Sequence, residues 1–321
     1  MNKKILNVTE LTKSFTSSED GSEIHAVDNI SLYVEEKETL GLVGESGCGK
    51  TTTGKMILKL VEPDQGDIQF YDNSITGLSQ KQFRPLRKKI QMIFQDLDAA
   101  LNPNMRILDI LSEAIKLRHP KYQKNKVKSK ALELLERVHL PAGKLEHFPN
   151  SLSGGEKRRV GIARTLAMEP EFIVADEPTS ALDVSVQAQV INLMQDLQKD
   201  YGLSYLFISH DLHLVELLSH RIAVMYLGKI VELGPAKQIA QSPRHPYTQS
   251  LWASLAINDK ENSTGSVDAF TAEIQHPAHG CRFAPRCVVF QSNGGSEKCH
   301  QEPQLSGNEG DHQVACHFPL T

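Results

Sequence analysis

The sequence has 321 residues, with 35 Lys or Arg and 39 Asp or Glu, so its formal net charge is only −4. Hydrophobic residues make up 40%, which is enough to bury a full core and excludes a disordered or fibrous protein. The low charge, 6% aromatic residues and lack of a recognition motif argue against a nucleic-acid partner. The longest apolar run, Ile222 to Leu227, is too short to cross a bilayer, and no apolar signal core follows Met1. We therefore expect a cytosolic protein that reaches a membrane only through a partner.

Short apolar runs alternate with helical patterns along most of the chain. The runs Leu40–Val43, Phe172–Ala175 and Tyr205–Ile208 fit strands that are buried on both faces. Helical periodicity follows, as from about Lys50 to Leu60 and from Val186 to Lys199. This alternation predicts an α/β fold with a mainly parallel core sheet.

The sequence also predicts a division into domains. Residues 1–255 form the large domain, and within it the pattern over about 96–165 is helical only, which indicates an inserted α-helical subdomain. A polar stretch rich in Ser and Asn lies within 256–280 and is typical of a linker. The remaining residues, 281–321, form a small Cys-rich tail.

The segment Gly44 to Thr51 matches the phosphate-binding pattern G-x-x-x-x-G-K-[ST]. Its glycines allow backbone N–H groups to face an anion, and the helix that follows adds its positive end. Lys50 can then reach the β- and γ-phosphates, and the Thr51 hydroxyl can bind Mg²⁺. An accidental Gly-rich turn is the alternative, but the strand before and the helix after argue against it. We expect ATP to be bound by Gly44, Glu45, Ser46, Gly47, Cys48, Gly49, Lys50, Thr51 and Thr52.

Cys48 lies inside this loop, beside Lys50 and at a helix N-terminus. Both features lower a thiol pKa, so one interpretation is a reactive cysteine whose alkylation ATP blocks. The other interpretation is a small residue that simply fits the loop.

Asp176 and Glu177 follow directly after the apolar run that begins at Phe172. Asp176 would lie at the carboxyl end of a parallel strand, where it can hold Mg²⁺ through water. Glu177 would face the γ-phosphate and polarise an attacking water. Alone, such a pair is typical of a helix N-cap, but together with the phosphate loop it indicates catalysis.

The third motif, Leu152-Ser-Gly-Gly-Glu156, places a Ser hydroxyl and Gly N–H groups at a helix start, again an anion site. Together with the phosphate loop and the acidic pair, this motif makes the sequence resemble the nucleotide-binding subunits of ATP-binding cassette (ABC) transporters. The resemblance implies a P-loop NTPase cassette with an antiparallel β N-terminal part. It also implies a head-to-tail dimer in which Ser153 and Gly155 contact ATP on the partner's phosphate loop. Glu156 departs from the Gln usual in this family.

The resemblance assigns roles to four more residues. Gln95 would contact Mg²⁺ and join the core to the helical subdomain, and Asp183 would contact the opposite subunit. His210 would contact the γ-phosphate and orient Glu177, making these two the catalytic pair. Phe15 is the candidate for stacking on adenine, although an aromatic residue so early in a chain is also typical of a core.

Several stretches are similar to the dipeptide/oligopeptide importer ATPases: Ala26–Asp28, Gly44–Cys48, Leu101–Pro103, Val224–Gly228 and Arg244–Thr248. This similarity implies a second, paralogous ATPase, two transmembrane permeases, an extracytoplasmic substrate-binding protein and a peripheral position on the cytoplasmic side of the membrane. Nickel, glutathione and cationic peptides remain alternative substrates. A soluble cassette ATPase of iron–sulfur assembly is the alternative outside transport.

Four of the five cysteines crowd the tail: Cys281, Cys287, Cys299 and Cys316. In a reducing cytosol such a group indicates a metal site before disulfides. The wide, irregular spacings favour a [4Fe–4S] cluster over zinc, as does the resemblance to the importer family, and a structural role is expected. Zinc and four unrelated thiols remain the alternatives.

Overall fold

The computed structural model describes residues 3–16, 21–95, 101–258, 279–307 and 311–320, and the side chains of 255–258 are left undescribed. Most of the predicted linker, 256–280, lies outside this part of the chain. No helix among the described residues is long and apolar enough to cross a membrane.

Two sheets form the framework of the fold. The first is antiparallel, with strands in the order β2-β1-β4-β5, and comprises β1 Lys4–Thr16, β2 Glu23–Glu35, β4 Gln65–Phe70 and β5 Asn73–Ser74. The second has the order β11-β10-β9-β3-β8-β7-β6 and comprises β3 Thr39–Val43, β6 Ile90–Ile93, β7 Phe172–Asp176, β8 Ser204–Ile208, β9 Arg221–Tyr226, β10 Lys229–Pro235 and β11 Gln313–Val314. Strands β9, β3, β8, β7 and β6 are parallel, whereas β10 and β11 are antiparallel. The architecture is therefore α/β with mixed sheets.

The helices lie between the strands in chain order. They are α1 Lys50–Ile57, α2 Gln80–Phe83, α3 Ile107–Arg118, α4 Lys124–Arg137, α5 Gly154–Leu166, α6 Val184–Tyr201, α7 Leu212–Leu218, α8 Ala236–Gln241, α9 Pro246–Asn258 and α10 Val288–Ser292. Helix α1 ends before the predicted Leu60 because Lys59 adopts a left-handed φ of 53°. The described residues between β6 and β7 contain helices and turns but no strand, and α3, α4 and α5 pack through a shared apolar core.

The parallel register brings three strand ends together. Every residue of β3, β7 and β8 is buried, which explains their continuous apolar character. Leu42 pairs with Ile208, and Ile208 pairs with Asp176, so the carboxyl ends of these strands share one edge of the sheet. A ligand of an open α/β sheet binds at this edge.

The tail adds the last strand to the second sheet. Val314 of β11 pairs with Glu232 of β10, and the Ala315 amide donates to the Val231 carbonyl at 2.8 Å. The Glu232 carboxylate is fully buried and accepts hydrogen bonds from the Arg244 and His245 amides and from His312. The tail is thus anchored on the core through backbone pairing and a buried carboxylate.

Candidate nucleotide site

The phosphate loop connects β3 to α1 at the ligand edge of the sheet. Gly44 and Gly49 have φ values of 153° and 108°, which favour glycine. A Cβ atom would come within 2.1 Å of the Met225 carbonyl oxygen at Gly44, and within 2.0 Å of the Ala26 carbonyl oxygen at Gly49. Positive φ and close backbone packing together explain the glycines of the motif.

Lys50 lies inside the curve of this loop and is buried. Its Nζ donates to the carbonyl oxygens of Gly44 and Glu45 at 2.8 Å each and is 3.5 Å from Cys48 Sγ. An enclosed ammonium group at the start of a helix makes the loop an anion site. Burial raises the Cys48 pKa even though Lys50 acts in the opposite direction, so this geometry favours the interpretation of Cys48 as a residue that fits the loop.

Thr51 and Asp176, each expected to hold Mg²⁺, are in contact. The Thr51 hydroxyl donates to Asp176 Oδ1 at 3.0 Å, and Asp176 is 2% exposed. Burial raises the pKa of Asp176, and the Thr51 hydrogen bond opposes this effect. A hydroxyl and a buried carboxylate at this edge are the oxygen ligands that Mg²⁺ prefers, so the residues fit the ion.

Glu177 contacts His210, which the resemblance expects to orient it, and also Gln95, which was expected to contact Mg²⁺. Gln95 Nε2 donates to Glu177 Oε2 at 2.7 Å, and His210 Nδ1 lies 3.0 Å from Glu177 Oε1. The Glu177 amide also donates to the Ile208 carbonyl at 2.9 Å, and its φ of 44° is in the left-handed region. The carboxylate thus has one defined orientation beside the end of β8, as a group that positions water requires.

Arg158 is a buried residue of this site that the motifs did not indicate. It belongs to α5 and donates to the carbonyls of Phe94 at 2.8 Å, Gln95 at 3.2 Å and Ser180 at 3.3 Å. It therefore joins helix α5, the segment that ends at Gln95 and the turn after Glu177. A charged residue two positions after the Leu152–Glu156 motif was the sequence signal for it.

The Leu152–Glu156 motif lies at the N-terminus of α5, where Ser153 is the N-cap. Ser153 and Glu156 form a capping box: the Ser153 amide donates to Glu156 Oε2 at 3.0 Å, and the Glu156 amide donates to Ser153 Oγ at 3.3 Å. The Lys144 ammonium, 2.8 Å from the other carboxylate oxygen, and the Ser153 amide lower the Glu156 pKa. Glu156 therefore performs a capping role that Gln also performs, and Lys144 offsets its charge.

Gly155 and Asp183 lie beside this motif. Asp183 caps α6 by accepting from the Val186 amide at 3.0 Å, and Val186 packs so closely on Gly155 that a Cβ there would be 2.6 Å away. The Ser185 hydroxyl and the Val186 amide lower the Asp183 pKa. No hydrogen bond joins Ser153, Gly155 or Asp183 to the phosphate loop within the described part of this chain. The side chains of Ser153 and Asp183 are exposed to solvent.

Phe15 lies near the end of β1, opposite Ile24 of β2, and is 44% exposed. The Lys13 ammonium is 5.5 Å from the centre of its ring. Phe15 is therefore outside the core, and its role in adenine stacking stays a prediction.

The four tail cysteines line one small cavity, together with His245, Phe283 and Phe290. All are free thiols. Burial, together with the nearby Cys299 and Cys287, raises the Cys281 pKa, and burial raises the pKa of Cys316 to about 11. Within the described residues, no three His, Cys, Asp or Glu side chains are arranged to hold a single metal ion.

These features define a class of protein: a nucleotide-binding cassette with its phosphate loop, buried aspartate and held glutamate at one sheet edge. The solved dimeric, post-hydrolysis structure of the ATP-binding cassette MJ0796 bound to ADP and Pi has the same fold, with a TM-score of 0.66 and 28% identity over 72% of this chain and 98% of that chain. Residues 27–180 match the ABC transporter family model, and residues 231–293 match the C-terminal region of oligopeptide/dipeptide transporters.

Similar proteins of known function indicate a more specific family within the ABC cassettes. The chain is 46% identical to the oligopeptide transport ATP-binding protein OppF of Bacillus subtilis, over 83% of this chain and 87% of the relative. It is also 46% identical to the dipeptide transport ATP-binding protein DppF of Lactococcus lactis, over 92% of this chain and 96% of the relative. The chain belongs to the oligopeptide/dipeptide transport ATP-binding proteins of the ABC family.

Proposed function

We propose that this protein is the ATP-hydrolysing subunit of an importer for oligopeptides or dipeptides. The observation that carries the proposal is Glu177, whose two carboxylate oxygens contact Gln95 and His210 at the sheet edge that bears the phosphate loop. The family assignment supplies the transport function and favours peptides over nickel, glutathione or an iron–sulfur assembly role.

In this mechanism the chain acts by positioning and charge stabilisation. The loop amides and Lys50 hold the β- and γ-phosphates, and Phe15 stacks on the adenine. Glu177 accepts a hydrogen bond from the attacking water and is kept in place by Gln95 and His210. Thr51, Asp176 and Gln95 would hold Mg²⁺, which when bound neutralises charge on the phosphates.

The exposed end of α5 and α6 supports a dimer. Ser153 and Asp183 are exposed, and the apolar Val184 next to them is 82% exposed. An exposed anion site at a helix N-terminus, beside an apolar side chain, suits contact with ATP bound to another subunit. We propose that the partner is a paralogous ATPase and that the pair lies on the cytoplasmic side of the membrane, with two permeases and an external binding protein.

The tail is proposed to hold a [4Fe–4S] cluster, with zinc as the alternative. The support is that all four thiols line one cavity with aromatic walls. Four thiolates can hold either an iron–sulfur cluster or a zinc ion, and a bound group would link the tail segments structurally. Anaerobic iron, sulfide and zinc analysis of the wild type and a Cys287→Ser variant tests this.

We also propose the division of the chain into residues 1–255, with its helical subdomain at about 96–165, the linker 256–280 and the tail 281–321. The mutual packing of α3, α4 and α5 supports the subdomain. The clustering of the four cysteines within one cavity supports the tail as a structural region, although it packs on the core.

The experiment is an anaerobic pull-down of tagged Glu177→Gln protein from its native membranes with ATP. The amide keeps the shape of Glu177 but removes its charge, so ATP should stay bound and hold the dimer closed. We expect two polytopic permeases and a second ATPase. Lys50→Ala is the control, because it should lose the ATP-dependent partner. Recovery of a soluble dimer without any membrane protein would contradict the importer and favour iron–sulfur assembly.

A further inference from the structure

The Cys-rich tail contacts the phosphate loop directly. Arg286 Nη1 and Nη2 each donate to one carboxylate oxygen of Glu45, both at 2.9 Å, and Glu45 is the second residue of the loop. Only 14% of the Arg286 side chain and 24% of the Glu45 side chain are exposed. This two-point geometry is the strongest form of an arginine–carboxylate pair.

The neighbours of Arg286 hold its guanidinium group in position for this contact. Its guanidinium carbon lies 5.7 Å from the ring centre of Tyr226 and 5.8 Å from that of Phe283, and Nη1 is 3.4 Å from the Tyr226 hydroxyl. The Glu45 hydrogen bonds raise the pKa of Arg286, so it stays charged. Cys287 follows Arg286 directly, so the packing of the tail fixes the position of the guanidinium.

A second residue holds the backbone of Glu45 from the same side. The Glu45 amide donates to the Tyr247 hydroxyl at 2.9 Å, and Tyr247 is fully buried against Tyr226 and Phe283. The Glu45 carbonyl accepts from Lys50 at 2.8 Å. Side chain, amide and carbonyl of Glu45 are thus each bound by a different partner.

The Glu45–Arg286 pair affects nucleotide binding because the triphosphate of the nucleotide is negatively charged. A carboxylate in a loop that binds a triphosphate repels it, because like charges a few ångströms apart in a partly buried site interact strongly. Arg286 compensates this charge and holds the carboxylate at the tail. We propose that Arg286 is a positioning residue of the nucleotide site, which neutralises Glu45 and thereby lets the phosphate loop bind ATP tightly. This inference rests on the assignment of the ATP site in the proposed function.

The test measures MgATP affinity of the full chain by calorimetry in the Glu177→Gln background, where ATP is not consumed. We expect Arg286→Gln to raise Kd about tenfold, because an unpaired carboxylate then remains in the loop. Glu45→Gln should have less than a threefold effect, and Glu45→Gln with Arg286→Gln should match Glu45→Gln alone. This rescue separates a role through Glu45 from a merely structural role of the tail.

Arg282→Gln is the matched control. Arg282 lies in the same tail segment but binds Asp28 and the Leu227 carbonyl, so its loss should leave Kd within about twofold. Arg286→Lys keeps the positive charge but cannot make the two-point contact with Glu45, so it should give an intermediate Kd. It replaces Arg286→Gln as the test variant if Arg286→Gln unfolds at too low a temperature. An unchanged Kd in Arg286→Gln, an unrescued double variant, or an equal loss in Arg282→Gln would overturn the proposal. Full ATP binding by Lys50→Ala would overturn the site itself.

Discussion

Thr51 and Asp176 are 125 residues apart in the sequence, yet the Thr51 hydroxyl donates a 3.0 Å hydrogen bond to the Asp176 carboxylate. Thr51 is the second residue of helix α1 and Asp176 is the last residue of β7, and both lie at the same edge of the sheet. Their contact joins the phosphate-binding motif to the acidic motif and leaves a buried charge with few partners. This arrangement has consequences for stability as well as for catalysis.

Asp176→Asn should stabilise the protein while it abolishes ATP hydrolysis. Burial holds the Asp176 pKa above its ordinary 3.8, so the ionised form is disfavoured in the folded state and stability falls as the pH rises above that value. Removing the charge should raise Tm by about 2 °C at pH 7, the size expected for about 1 kcal/mol. Calorimetry at pH 7 and pH 4 measures it, since the gain should vanish in acid. A lower Tm at pH 7 would contradict this explanation.

Glu156→Gln should leave helix α5 capped, whereas Glu156→Ala should not. Both Glu and Gln can accept from the Ser153 amide, but Ala leaves this donor without its partner, at a cost of about 1 kcal/mol. Chemical unfolding measures the difference, with hydrolysis rates as a second readout. We expect Glu156→Gln to hydrolyse ATP within about twofold of the wild type. Equal destabilisation by both variants would show that the Lys144 pair dominates instead.

The pH dependence of the Glu156 contribution has a defined sign. Lys144 and the Ser153 amide hold its pKa below the ordinary 4.5, so its stabilising effect is present at neutral pH. That effect is lost as the pH falls through the lowered pKa. The stability difference between the wild type and Glu156→Gln should therefore shrink in acid.

Cys48 should react slowly with alkylating reagents at neutral pH. Its side chain is 2% exposed, and burial raises its pKa, so little thiolate is present. Mass spectrometry should show labelling at least about tenfold slower than that of a short thiol peptide, with Cys48→Ser as the control for site assignment. Fast labelling that saturating ATP blocks would restore the interpretation of Cys48 as a reactive cysteine.

Glu232→Leu should loosen the tail from the core. The carboxylate accepts from the Arg244 and His245 amides and from His312, and a leucine leaves all three donors without this acceptor. An unsatisfied buried donor costs about 1–3 kcal/mol, so the loss should be large. Hydrogen exchange should increase in residues 311–320 and 244–245, whereas β7 stays protected. Protection equal to that of the wild type throughout would contradict the anchoring role.

The sequence alone was sufficient to predict the α/β architecture, because a short continuous apolar run such as Phe172–Ala175 is typical of a strand that is buried on both faces of a parallel sheet. It was also sufficient to predict the phosphate loop, since the positive φ values at Gly44 and Gly49 require glycine and glycine is visible in the sequence. The helix start at Ser153 was also predicted from neighbouring residues, namely the Ser hydroxyl and the glycine amides of the Leu152–Glu156 motif. Each of these signals depends on residues close together in the chain.

The tertiary structure decided everything that depends on distant residues meeting. The motifs did not reveal that Arg158 binds the Gln95 segment, that Glu156 is compensated by Lys144, or that burial outweighs Lys50 in setting the Cys48 pKa. Nor did they connect Arg286 with Glu45, 241 positions away, because a charged pair across two regions has no periodicity or spacing in the sequence. Such contacts exist only once strand order and tail packing have placed both partners at the same edge of the sheet.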